Sequence, residues 1–102
     1  MPNENIDTIE RTSTKEKVAR PKLWTVKFYN DDFTPMDFVI AVLRALYNQS
    51  PDEAAAITMQ VHKEGAAVVG VFTKDIAETK AERTIMAARE NRHPLKVEAV
   101  PA

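Results

Sequence analysis

Asn30-Asp31-Asp32 is a run of three acceptor-bearing side chains, and His62 further along carries an imidazole. Asparagine and ionised aspartate offer oxygens to a donor. A neutral imidazole offers one nitrogen more, provided that its other nitrogen holds the proton. Directly after the run, Phe33-Thr34-Pro35-Met36-Asp37-Phe38-Val39 opens a hydrophobic helix. Acceptors beside an apolar surface suit a cation whose other end is apolar. The same residues are also ordinary turn formers, since Asn and Asp satisfy nearby backbone groups. Spacing alone leaves both readings open.

The elements that must position these groups are readable from periodicity. Leu23 to Tyr29 alternates, with Trp24, Val26 and Phe28 on one side, as a half-buried strand does. Val39, Val42, Leu43, Leu46 and Tyr47 then recur with helical spacing. Thr34 suits the N-cap of that helix, Pro35 its first position and Asp37 its first turn. Ser50-Pro51-Asp52-Glu53 is a capping box for a second helix, which buries Ala54, Ile57, Thr58 and Val61 and ends at Gly65. Ala66 to Thr73 reads as a buried strand. A third helix runs from near Asp75 to about Asn91 and buries Ile76, Ala77, Ala81, Ile85 and Ala88. Pro94 stops it, and Leu95 to Val100 alternates as a last strand. The expected fold is α/β, a compact β-α-α-β-α-β sandwich with three strands packed against three helices.

Bulk properties narrow the function classes. A chain of 102 residues is one small domain, here residues 22–102, plus a tail, residues 1–21. The tail mixes acidic Glu4, Asp7, Glu10 and Glu16 with basic Arg11, Lys15, Lys17 and Arg20, and its apolar residues are too scattered for a core. It is not a secretory signal, and no apolar run approaches the ~20 residues that cross a bilayer. The absence of cysteine fits a reducing cytoplasm. A net charge of −1 argues against binding by phosphate neutralisation, so no nucleic acid and no membrane are expected as partners. The serines are Ser13 in the tail and Ser50 at a helix cap, which leaves a Ser or Cys nucleophile no seat. Two adjacent carboxylates and a distant His make a poor metal site, and the two glycines, Gly65 and Gly70, form no phosphate cradle. Catalysis and a cofactor are not expected.

The decapeptide Asn30-Asp31-Asp32-Phe33-Thr34-Pro35-Met36-Asp37-Phe38-Val39 closely resembles the ClpS family of small bacterial adaptors. Three further matches follow in order: Val61-His62-Lys63-Glu64-Gly65, then Gly70-Val71-Phe72-Thr73 with Ala77-Glu78-Thr79-Lys80, then His93-Pro94-Leu95. Together they cover about residues 22–100. The resemblance implies the fold shared by ClpS and the C-terminal domain of the ribosomal stalk protein. It also implies an adaptor that carries proteins with N-terminal Phe, Tyr, Trp or Leu to the N-terminal domain of a ClpA-type unfoldase. By correspondence, Asn30, Asp31, Asp32 and His62 hold the N-terminal amine, and Thr34, Met36, Val39, Ile40, Thr58, Val61 and Leu95 line the side-chain pocket. Phe33, Asp75, Glu78 and Lys80 match positions on or near the unfoldase-docking face, and the tail takes part in delivery. A monomer is the simplest expectation.

One departure matters. Position 58 holds Thr, where ClpS proteins usually carry Met. A smaller, hydroxylated wall changes ligand preference in one of two ways: a more polar wall favours Tyr, and a wider one admits β-branched residues. Two rival readings are a specialised paralogue, with altered N-terminal-residue preference or a regulatory or inhibitory role at the unfoldase, and a stalk-like module binding translation factors, in which the acidic turn and His62 have no part.

Overall fold

The computed structural model describes residues 21–102, so the expected tail lies, apart from Pro21, outside the described residues. Six elements follow: β1 (Leu23–Tyr29), α1 (Met36–Leu46), α2 (Pro51–Glu64), β2 (Ala66–Thr73), α3 (Lys74–Glu90) and β3 (Lys96–Pro101). The order β-α-α-β-α-β is the one the periodicities imply. The strands form one antiparallel sheet in the order β2-β1-β3, with β1 in the centre. Val26 and Phe28 of β1 are fully buried, and Val39, Val42, Leu43, Ala54, Val61, Ala77, Ala81 and Ala88 reach toward the same core from the three helices. Phe28 meets Tyr47 edge to face with ring centroids 5.6 Å apart, an arrangement in which one ring's positive edge faces the other's negative face.

Three local expectations need correction. The N-cap of α1 is Pro35 and not Thr34, and no side chain caps it. Thr34 is instead drawn back into the preceding turn, where its N–H and hydroxyl both bond the Asp31 carboxylate. Strand β2 is not buried along its whole length: Val68 and Val71 are 44% and 51% exposed on the open face of the sheet. A bulge explains why the apolar run hid this. Phe28 pairs with Ala67 and Val26 with Gly70, so Val69 is the extra residue and both Ala67 and Val69 are buried. Beyond the bulge the Phe72 ring lies against Gly70, where an added Cβ would sit 2.5 Å from it. Finally, Ile76 is 48% exposed, and the buried polar residue of α3 is Thr84.

Thr84 belongs to a small buried polar chain. Its hydroxyl donates to the Lys80 carbonyl at 2.7 Å and lies 2.7 Å from the Tyr47 hydroxyl, a pair in which either oxygen can be the donor. Burial pushes the Tyr47 hydroxyl up to about 12, although the bond to Thr84 pulls the other way. A raised pKa means stability that is complete below the unfolded value near 10 and is lost as pH climbs through about 12. We expect a loss of about 2–3 kcal/mol over that window. Urea unfolding followed from pH 9 to 12 checks it: the Tyr47→Phe protein lacks this step while keeping every other alkaline titration. Parallel pH curves for the two proteins would refute the assignment.

Candidate functional site

The site begins where β1 ends. Asp31 Oδ1 accepts the N–H groups of Phe33 (2.8 Å) and Thr34 (2.7 Å), and Oδ2 accepts the Thr34 hydroxyl (2.8 Å). Burial pushes the Asp31 carboxyl up, but the hydrogen bonds from Thr34 and Phe33 outweigh it and, with a smaller contribution from His93, leave it below its ordinary value. The group is therefore a carboxylate at neutral pH. It shapes the turn as well as charging it.

His62 arrives from another part of the chain. The capping box starts α2 as the sequence implies: Ser50 Oγ accepts from Glu53 N–H at 3.1 Å, and the Ser50 N–H donates to Glu53 Oε1 at 3.0 Å. The helix runs on to Glu64, and Gly65 ends it with φ of 88°, a left-handed conformation in which other residues are strained. Gly65 has a second task. Its carbonyl accepts the Asn30 N–H at 2.9 Å, which fastens the acidic turn to the C-terminal end of the helix that carries His62. Sequence reasoning had assigned Gly65 only to helix termination.

Asn30, Asp31 and His62 thereby come to one rim of a cavity, with Thr34, Met36, Val39, Thr58, Val61 and Leu95 lining the rest. Asn30, His62 and Met36 are exposed, and Asp31 and Thr34 are half-buried. Val39, Thr58, Val61 and Leu95 are all buried. The cavity is thus polar at its open end and largely apolar inside. Asp32 and Ile40 are not brought to it: Asp32 is exposed in the turn, and Ile40 packs on the core from α1. Tyr29 does line it and was missed. Its hydroxyl donates to Glu98 Oε1 at 2.7 Å, and the Lys96 ammonium stands 4.9 Å from its ring centroid, so the phenol is held on the outer face of the sheet. The pairing of Tyr29 with Lys96 and Ala66 across the sheet follows from register, which period-2 alternation alone does not reveal.

The cavity has a volume of about 20 Å³, room for a single water. An aromatic side chain enters only if a wall gives way. Met36 is unbranched and 37% exposed, which makes it the wall residue freest to swing aside.

The docking candidates divide. Asp75 and Lys80 line a separate groove of about 280 Å³ together with Leu46, Ile76, Thr79 and Arg83, whereas Glu78 does not. Phe33 is 79% exposed at the acidic turn. Lys80 has internal work: its ammonium donates to the Leu46 carbonyl at 2.6 Å, closing the C-terminal end of α1, and lies 5.6 Å from the ring centroids of both Tyr47 and Phe72. Among the described residues, no group of three or more His, Asp or Glu is arranged to hold a metal ion, and no helix is long and apolar enough to cross a membrane.

A three-stranded sheet with helices on one face and a polar-rimmed apolar cavity between α1, α2 and the strand ends defines a small α/β domain with one candidate ligand cavity. Comparison with known proteins makes the class specific. Residues 19–98 match the family model for the ATP-dependent Clp protease adaptor protein ClpS. The ATP-dependent Clp protease adapter protein ClpS of Deinococcus radiodurans is 45% identical over 94 residues, 92% of this chain and 80% of the relative. That of Roseobacter denitrificans is 48% identical over 90 residues, 88% of this chain and 80% of the relative. The solved structure of Agrobacterium tumefaciens ClpS2 bound to L-phenylalaninamide superposes with a TM-score of 0.79 at 42% identity, covering 81% of this chain and all of that one. The chain belongs to the ClpS family, whose members are adaptors of the Clp protease.

Proposed function

We propose that this protein recognises the free α-amino group and the bulky hydrophobic side chain of a polypeptide's first residue, and delivers such polypeptides to a ClpA-type unfoldase. The observation that carries this reading is the cavity itself, in which Asn30, Asp31 and His62 crowd the open end and Val39, Val61 and Leu95 are buried inside. An ammonium group has three donors and needs converging acceptors; the adjoining side chain needs an apolar enclosure. L-Phenylalaninamide, the ligand of the similar ClpS2, has both parts, an amine and a benzyl group. Asn30, Asp31 and His62 hold the amine, with Asp32 adding negative charge nearby. Thr34, Met36, Val39, Thr58, Val61 and Leu95 enclose the side chain.

The magnitudes are adequate. Each hydrogen bond to the charged amine contributes ~1.5–3 kcal/mol, and burial of a Phe or Leu side chain a further ~1.5–3. Less the ordering cost, the total reaches about −8 kcal/mol, equivalent to roughly 1 μM. An adaptor that must release its cargo works in that range. Delivery uses the groove at the start of α3, with Asp75, Glu78 and Lys80, together with exposed Phe33 and the tail. The protein acts in the cytoplasm as a monomer, without a cofactor and without catalysing a reaction.

Fluorescence anisotropy with a short labelled peptide beginning in Phe tests the reading. Binding at micromolar concentration or tighter is expected, and acetylation of the peptide's N-terminus is expected to abolish it. Binding that survives acetylation, or no binding to either peptide, overturns the proposal.

A further inference from the structure

We infer that the Thr58 hydroxyl is a hydrogen-bonding partner for the far end of the bound side chain, and that it makes this protein prefer N-terminal Tyr over Phe. The inference rests on the amine-recognition reading above and names the ligand within it. Thr58 is only 3% exposed, and its Oγ1 is buried with no hydrogen-bond partner. An unpaired buried hydroxyl is unfavourable, and in folded proteins such a group usually finds a partner. A threonine in a helix has a ready one in the carbonyl one turn back. Thr84 uses it, donating to the Lys80 carbonyl at 2.7 Å. Thr58, equally buried in α2, does not. Thr58 lines the cavity, whereas Gln49, whose Oε1 is the other unpaired buried side-chain atom among the described residues, does not.

Position adds to this. Thr58 precedes His62 by four residues on one face of α2, which separates them by about 6 Å along the helix axis. The amine end lies at His62 and the exposed rim; Thr58 lies one turn inward among Val39, Val61 and Leu95. A side chain that starts at the amine and runs along α2 brings its tip toward Thr58. Phe has nothing to offer there. The Tyr hydroxyl can both donate and accept, so it pairs with Thr58 whichever of the two gives the proton. The cavity is small, about 20 Å³, so Thr at this position does not make it roomy. Of the two consequences expected from Thr at this position, polarity is the one the geometry favours.

The test compares peptides beginning in Tyr and Phe, each with and without N-terminal acetylation, on the wild-type protein and on Thr58→Val and Thr58→Ser. Valine keeps the shape and removes the hydroxyl; serine keeps the hydroxyl. Wild type is expected to bind the Tyr peptide about tenfold more tightly than the Phe peptide. Thr58→Val is expected to bring that ratio close to one, by weakening Tyr more than Phe, and Thr58→Ser is expected to retain it. A wild-type ratio near one, or a ratio that Thr58→Val leaves unchanged, overturns the role of Thr58 while leaving amine recognition standing. Loss of acetylation sensitivity for both peptides, or no binding by either, removes both.

Discussion

Asp31→Asn is expected to abolish peptide binding, by more than about a hundredfold, while leaving the protein folded. An ionised carboxylate has about four lone-pair sites. Three are engaged in the turn: two on Oδ1 by the N–H groups of Phe33 and Thr34, and one on Oδ2 by the Thr34 hydroxyl. One lone pair on Oδ2 remains outside these bonds, and under the proposed function it takes a proton of the incoming amine. Asparagine keeps the Oδ1 acceptor and so the two backbone bonds. In place of Oδ2 it presents an NH₂ group, a donor facing a donor. The Thr34 hydroxyl must then turn round to accept, and an ammonium group meets repulsion where it had attraction.

The same substitution has a modest effect on stability. Hydrogen bonds hold the Asp31 carboxyl below its ordinary value. It therefore contributes stability above the unfolded pKa of an aspartate, and that contribution is lost as pH falls through the lower folded value. Half-exposure and solvent screening keep the contribution to about 1 kcal/mol. Titration calorimetry with a Phe-initiated peptide, beside a thermal melt, checks both halves. Retained affinity would show that Asp31 serves the turn alone; a protein unfolded at room temperature would show that the turn supports the whole domain.

Phe28→Ala is expected to have the opposite profile, a large stability loss at a position that touches no ligand. Phe28 has no exposed surface, stands in the central strand and meets Tyr47 edge to face. Truncating such a ring removes its apolar burial and leaves a cavity, together about 3–5 kcal/mol. A domain of this size holds on the order of 5–10 kcal/mol in all. Urea denaturation should therefore show a midpoint roughly halved with an unchanged slope. A loss below about 1 kcal/mol would mean that the surrounding core collapses into the space, which the sheet pairing of Phe28 with both Ala67 and Val97 opposes.

These two residues also mark how differently the fold and the site are written in the chain. Phe28 was legible at once, because alternation with Trp24 and Val26 places it on the inner face whatever the sheet's neighbours are. The capping box at Ser50 and the stop at Gly65 were legible for a similar reason: each is satisfied by residues within a turn of itself. The gathering of Asn30, Asp31 and His62 was not readable from spacing. It came from the family resemblance of four ordered motifs, since no local rule says which turn a helix end will meet. The structure supplies the cause, a bond from the Asn30 N–H to the Gly65 carbonyl.

Sequence by itself therefore determined the elements, their order and most of the inward faces, because periodicity and caps depend on near neighbours. Tertiary structure alone decided where each polar group finds its partner. Thr34 leaves its place as a cap because the Asp31 carboxylate offers stronger bonds to both its N–H and its hydroxyl. Lys80 turns from a surface charge into the closing bond of α1 because the Leu46 carbonyl lies within its reach. Val69 is the extra residue of a bulge, which sets it beside Ala67 in the core. Thr58 keeps an unpaired buried hydroxyl, as Thr84 does not, and lines the cavity. Hydrogen-bond partners distant in sequence are chosen by packing, and packing is what a single chain read in order does not contain.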